Sequence, residues 1–127
     1  IKINNAAVTP AKADLTLGWT HTGNLTANAG FNVKRVATAI NYTTLVGDVY
    51  VGVTDTAVAR TITLVGAAAA AAGSVLIIKD ESGAAATNNI TVDGNAAENI
   101  DGTLTKVINT NYGSVTLVCS GSAWFVV

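Results

Sequence analysis

The stretch that decides the fold is residues 48–64, DVYVGVTDTAVARTITL. Its first half places valine at every second position, at Val49, Val51 and Val53. After a polar turn, Ile62 and Leu64 repeat this alternation. A period of two residues is typical of a β-strand that buries one face. The stretch therefore predicts two short strands joined by a turn.

Short β-type runs continue on the C-terminal side of this stretch, and Gly, Asn or Asp separates them. These residue types favour tight turns. The run from Val75 to Ile78 is apolar at every position, which predicts a central strand covered on both faces. Further runs lie at residues 90–92, 104–108, 115–119 and 123–127. The pattern predicts an all-β fold, a compact antiparallel β-sandwich or β-prism of short strands.

Three features of this region have a simple structural interpretation. The alanine tract 67–72 is too short to sustain an isolated helix, so we expect it to connect two strands. Trp124 and Phe125 are expected to close the core at the C-terminus. Cys119, the single cysteine, follows the apolar alternation of its strand. We expect it to be a small buried hydrophobic residue without an intrachain disulfide.

The N-terminal region differs from the rest of the chain in composition and pattern. Thr, Asn and Gly recur between residues 20 and 30 without a strong apolar face. We interpret residues 1–35 as an extended N-terminal arm, either an attachment segment or a shaft-like segment, and residues 36–127 as the β-domain. Met is absent, including from position 1. We therefore expect either a processed protein or a portion of a longer chain.

Charged residues are scarce in this chain. They make up 12% of the sequence, against roughly a quarter in an average protein. The net charge of −1 and the lack of a basic stripe argue against nucleic acid as a partner. No apolar run is long enough to cross a bilayer, so we expect no membrane insertion. A surface this poor in charge favours extensive burial between subunits.

Arg60 has the same strand parity as Ile62 and Leu64, so it starts on the buried side of its strand. A charge in that position needs a partner. The candidate partners are Asp80, Asp55 and Asp101. We predict a structural ion pair between Arg60 and Asp80, with the other two carboxylates as open alternatives.

The sequence contains few groups that could carry out chemistry. His21 is the only histidine, and it has no Cys or His neighbour at the spacing of metal ligands. The acidic residues from Asp80 to Asp101 do not match a calcium-binding loop, and a Gly-x-Ser-x-Gly nucleophile motif is absent. We therefore expect no catalytic residue, no metal and no cofactor, and we predict that the protein is not an enzyme.

Exposed aromatic side chains are the best candidates for sugar contact, because their flat apolar faces stack on pyranose rings. We name Trp19, Tyr50 and Tyr112 as candidate glycan-contact residues. For Trp124 we favour a place in the core.

Several short motifs follow one another along the last two thirds of the chain. They are YVGVTDT (50–56), RTITL (60–64), IIKDESG (77–83), NITVDG (89–94), IDG (100–102), NYGS (111–114) and WF (124–125). In this order and spacing they resemble a domain that recurs in bacteriophage fibre and spike proteins. The resemblance implies a virion structural module, commonly trimeric, at the end of a tail or head appendage. It implies no catalytic motif.

We therefore expect a structural virion protein of a bacteriophage, a fibre, spike or capsid-decorating protein that acts by self-association and attachment. The alternative is a receptor-binding tip that recognises host cell-surface polysaccharide. The expected partners are further copies in a homotrimer and other virion proteins of the capsid or tail. Besides the resemblance, a trimer is favoured by the charge-poor surface, by the small residues at 27–30 and 66–73, and by strand edges that closed symmetry would cover.

Overall fold

The computed structural model describes residue 30 and residues 32–127 of the protein. Within these residues it contains nine strands and one helical turn. The strands are β1 Arg35–Thr38, β2 Tyr42–Thr43, β3 Tyr50–Val53, β4 Arg60–Thr63, β5 Val75–Asp80, β6 Ile90–Asp93, β7 Thr105–Ile108, β8 Ser114–Cys119 and β9 Trp124–Val126; the helix α1 is Ala67–Ala70. Arg35, the last residue of the predicted arm, is the first residue of β1. The arm up to residue 29 lies outside the described residues.

The chain alternates between two sheets. Sheet A has five strands in the order β1-β3-β5-β8-β9, and sheet B has four in the order β2-β4-β6-β7. Strands β1, β3 and β5 run parallel in sheet A. Strands β2, β4 and β6 run parallel in sheet B. The chain thus completes three coils, and each coil contributes one strand to each sheet.

Strands β7 and β8 run in the opposite sense to the strands of the coils, and β9 turns back again. Strand β7 pairs antiparallel with β6, and β8 pairs antiparallel with β5. Strand β9 then forms an antiparallel hairpin with β8, closed by the hydrogen bond from the Ser120 N–H to the Ala123 carbonyl at 2.9 Å. Strands β7 and β8 therefore cover the free edges of the last coil, and β9 becomes the edge strand of sheet A.

The predicted all-β class is confirmed, but the predicted antiparallel arrangement is wrong for β1 to β6. Gly, Asn and Asp mark where a strand ends, and they do not determine which strand comes next to it. The connections at residues 54–59 and 81–89 are longer than a two-residue hairpin loop. They carry the chain across to the facing sheet, so each new strand pairs with the strand one coil earlier.

The core lies between the two sheets and consists of every second residue of their strands. Sheet A contributes Val51, Val53, Leu76, Ile78 and Leu117, and sheet B with its adjoining residues contributes Ile62, Leu64, Ile90, Val92 and Ile108. All ten side chains are buried. The alternation read from residues 48–64 therefore correctly identifies which side chains point inward.

The C-terminal strand confirms one predicted core residue and corrects another. Trp124 is buried, and its indole Nε1 donates to the Val65 carbonyl at 3.3 Å. Phe125 points to the other side of sheet A and is 47% exposed, because neighbouring residues of a strand face opposite ways. The predicted burial of Phe125 is therefore wrong. The predicted double coverage of residues 75–78 is also wrong for the described chain, where Val75 is 42% exposed.

The alanine tract forms the predicted connection, between β4 and β5, and contains the single turn α1. The Glu98 carboxylate accepts the Ala67 N–H at 2.9 Å. Cys119 is buried, as predicted, and its thiol donates to the Ala67 carbonyl at 3.3 Å. In the part of the chain that the structure describes, no helix has the length and apolar character needed to cross a membrane.

Candidate functional site

Asp80 is the centre of the most densely bonded polar cluster among the described residues. It is the last residue of β5, and its side chain is fully buried. Its Oδ1 accepts the N–H groups of Ser82 and Gly83 at 3.0 Å and the Ser82 hydroxyl at 2.6 Å. Its Oδ2 accepts the N–H groups of Ala85 at 3.1 Å and Tyr112 at 3.0 Å. One carboxylate therefore joins the connection after β5 to the turn before β8.

The charge of Asp80 is stabilised by hydrogen-bond donors of the chain. Burial alone would raise the pKa of this carboxyl group. The hydrogen bonds from Ser82 and from the backbone of Ala85, Tyr112 and Gly83 outweigh burial, and the pKa of Asp80 lies below its ordinary value. Asp80 therefore serves as an acceptor that organises two loops.

The predicted ion pair between Arg60 and Asp80 is wrong. Arg60 instead bonds to Asp55, with Nη2 2.7 Å from Oδ2 and Nε donating to the Asp55 carbonyl at 2.9 Å. Arg60 is the first residue of β4, and its largely buried side chain turns back to the loop before the strand. Asp101, the third candidate, contacts Lys106 at 3.4 Å.

Tyr112 stands out among the predicted glycan-contact residues. Its side chain is 63% exposed. Its backbone has a φ of 57°, a left-handed conformation that is unusual for a bulky residue. The ring lies against Gly83 so closely that a Cβ at residue 83 would collide with it. The structure thus joins Tyr112 to the loop that Asp80 organises, which the sequence did not indicate.

The other two predicted glycan-contact residues have different environments. Tyr50 lies on the outer side of sheet A and is half-buried. Burial, a hydrogen bond to Glu81 and the charge of Glu81 raise the pKa of Tyr50. Glu81 pairs with Arg35 and lies over Gly52, where a Cβ would collide with it. Trp19 lies outside the described residues.

A second buried carboxylate, Asp48, lies in the connection between β2 and β3. Lys34 Nζ lies 2.7 Å from its Oδ1. The Tyr42 hydroxyl and the Leu45 N–H each donate to its Oδ2 at 2.8 Å. Burial raises the pKa of Asp48, but these hydrogen bonds and the Lys34 charge together hold it below the ordinary value.

The outer side of sheet A carries a set of apolar side chains that we call the apolar face. Its members are Tyr50, Val75, Ile77, Val118, Phe125 and Val127. Val75, Val118 and Phe125 lie side by side on β5, β8 and β9. The Val127 N–H donates to the Thr116 carbonyl at 3.0 Å, which extends the face to the last residue described. An apolar surface on three neighbouring strands favours contact with another protein.

The outer side of sheet B has a different chemistry. We call it the threonine face, and its members are Thr43, Thr61, Thr63, Thr91, Asp93, Thr105 and Val107. The pairing register aligns Thr61, Thr91 and Val107 across three strands. It likewise aligns Thr63, Asp93 and Thr105. This face is polar and nearly uncharged, so it offers a matched control surface for the apolar face.

The described residues contain no group of three or more His, Cys, Asp or Glu side chains that could hold a metal ion. Comparison of the chain with protein-family models and with curated proteins gives no match. The candidate binding features of the described surface are the apolar face, the threonine face and the exposed ring of Tyr112.

Sequence reasoning missed Asp48, Glu81 and Gly83. Asp48 precedes a strand, and an aspartate in that position is typical of an ordinary turn. The Asp80-Glu81-Ser82-Gly83 run contains a partial signal, because Asp and Ser side chains often bond to backbone N–H groups one to three residues later. The bond from Tyr112 to Asp80 has no such signal, since the two residues lie far apart in sequence.

Proposed function

We propose that the chain is a structural protein of a bacteriophage virion, in a fibre, spike or capsid decoration, and that it acts by self-association and attachment. The resemblance of its motifs to fibre and spike domains supports the virion assignment. The observation that carries self-association is the apolar face, where Phe125 and Val75 are about half exposed.

The proposed occupant of the apolar face is a further copy of the same chain. Arg35 and Lys79 lie on the same outer side of sheet A, and Glu81 lies over Gly52 beside them. The surface around the apolar residues therefore carries both signs of charge, and Arg35 and Glu81 pair within the chain, so no large excess of one sign repels a second copy. Only 12% of all residues are charged, which leaves few groups to keep such a face in water. We propose a homotrimer as the closed form of this assembly.

The test is the mass of the protein in solution, measured by light scattering on the purified full chain. We expect about three times the chain mass of 12.8 kDa. Phe125→Lys places a charge on the apolar face and should yield a folded monomer. The matched control Val107→Lys places the same charge on the threonine face and should keep the parent mass. A folded parent monomer, or equal masses for the two variants, would contradict self-association through this face.

The virion assignment has its own test. Antibodies against the chain should label one structural feature of purified phage particles in electron micrographs. If particles of the phage that encodes the chain lack the protein, the virion assignment is wrong. Self-association, which the solution mass tests, would still stand.

A further inference from the structure

Tyr112 has a left-handed backbone conformation, which glycine would adopt more easily than tyrosine. Four non-glycine residues among those described have a positive φ, and they are Ala71, Ala96, Asp101 and Tyr112. Tyr112 is the bulkiest of them. The left-handed conformation disfavours residues with a Cβ, whereas glycine adopts it freely. Such strain persists where the surrounding structure fixes it, and it is frequent at functional sites.

The surrounding structure fixes both backbone polar groups of Tyr112. Its N–H donates to Asp80 Oδ2 at 3.0 Å, and its carbonyl accepts a hydrogen bond from Lys79 Nζ. Both partners belong to the end of β5. The preceding Asn111 is also held, because its Oδ1 accepts the Ala86 N–H at 2.9 Å. These bonds fix the backbone of the turn from which the Tyr112 ring projects.

The ring itself contributes little to the fold. One side lies against Gly83, and 63% of the residue is exposed. Glycine at position 112 would keep both backbone hydrogen bonds and avoid the strain. The aromatic ring is therefore the property of this position that the turn does not explain.

A rigid exposed aromatic ring loses little conformational entropy when it binds a ligand. The neighbouring cation, Lys79, is engaged with the Tyr112 carbonyl, and the Asp80 charge is buried. The exposed surface of the ring itself is apolar. Within the described chain, the Tyr112 hydroxyl and the Asn111 amide NH₂ make no hydrogen bond to another protein group, so they can bond to hydroxyl groups of a ligand. This combination suits a neutral sugar ring, which has one apolar C–H face and a polar rim.

We propose that Tyr112 is the stacking platform of a binding site for a neutral pyranose unit of a polysaccharide. The Asn111 amide and the Tyr112 hydroxyl bond to the rim of the sugar. Asp80, Lys79 and Gly83 are positioning residues, because they hold the turn and support the ring without touching the ligand. The site goes beyond the structural role proposed above and does not depend on the number of subunits.

The test is an NMR titration of the full chain with cellohexaose and, separately, chitohexaose at millimolar concentration. We expect chemical-shift changes at the Tyr112 ring and at residues 110–113 with at least one of the two. Tyr112→Phe should retain most of the response, since it keeps the ring. Tyr112→Gly should abolish it, while its melting temperature stays at or above that of the parent because the strained φ is relieved.

The matched control is Ala96→Gly, which relieves the same kind of backbone strain away from the turn. It should leave the titration unchanged, so that loss of binding in Tyr112→Gly reflects the ring. The absence of any shift with both hexasaccharides would overturn the proposal. An equal response of the parent and of Tyr112→Gly would overturn it as well.

Discussion

The protein holds two buried carboxylates in place by opposite means. Asp80 accepts four backbone N–H groups and a hydroxyl, and in the described chain it forms no salt bridge. Asp48 pairs with a cation, Lys34, and accepts two further hydrogen bonds. The pKa of each lies below its ordinary value. A ring of neutral donors can therefore stabilise a buried charge as a counter-ion does, provided that the loops supply enough of them.

Removing the Asp80 carboxylate and removing the Lys34 amine should lower the stability of the fold by different amounts. The donors around Asp80 are backbone groups of two loops, so loss of the carboxylate leaves several buried N–H groups without an acceptor. Lys34 remains half in water, so loss of its amine leaves a carboxylate that still has two donors. We therefore expect Asp80 to affect the fold more than Lys34 does.

The largest effect is expected for Asp80→Asn. An amide replaces one acceptor oxygen with a donor, so at least two N–H groups lose their partner at about 1–3 kcal/mol each. The free energy of unfolding should fall by about 2–6 kcal/mol, measured by urea denaturation. Asp93→Asn on the threonine face is the control and should change it by less than about 0.5 kcal/mol. Equal effects of the two substitutions would show that Asp80 does not organise the loops.

The stability of the protein at low pH should depend on both carboxylates. The folded pKa of each lies below the unfolded value of about 3.9. Their contribution to stability is therefore complete above about pH 5 and is lost as pH falls through the folded pKa values. We expect the melting temperature to drop steeply below about pH 4. The drop should be shallower in Asp80→Asn and in Asp48→Asn, and an unchanged slope in both variants would contradict this assignment.

The smallest effect is expected for Lys34→Met. The free energy of unfolding should fall by about 1 kcal/mol, because the lysine is half exposed and solvent screens its charge. High salt should reduce this difference, whereas the effect of Asp80→Asn should persist. Lys106→Met is the control, since Lys106 lies 3.4 Å from an exposed carboxylate of Asp101. A salt-independent loss in Lys34→Met would mean that packing of its alkyl chain, and not its charge, stabilises Asp48.

The sequence predicted which residues point inward because a strand repeats every two residues. Val51, Val53, Ile62, Leu64 and Trp124 are buried as their alternation indicated. It could not predict which strands pair, because parallel and antiparallel neighbours have the same alternation. Phe125 was placed in the core because of its size, although Trp124 beside it already occupies the inner side of β9.

The candidate site was predictable to a smaller extent. Tyr112 and Tyr50 could be named as candidates from residue type alone, but their exposure could not; Tyr112 is exposed and Tyr50 is half-buried. The partners of Asp80 in the turn before β8 could not be predicted, because hydrogen bonds between distant loops depend on the coil geometry. For Arg60 the sequence named three candidate carboxylates and favoured the wrong one. Arg60 returns to Asp55 within its own connection, a contact that lies close in sequence. Tyr112 reaches Asp80 only because β8 pairs with β5.

The alternation of the chain between two sheets also determines how such a protein can change its length. A single-residue deletion in β3 would shift the strand by one position and turn Val51 or Val53 outward. Insertion of a complete coil would add one strand to each sheet and leave every other side chain on its original face. Among the coil strands, β7 and β8 pair only with those of the last coil, so they could close a longer or shorter stack without alteration. Evolution and protein design alike should therefore lengthen this architecture in whole coils.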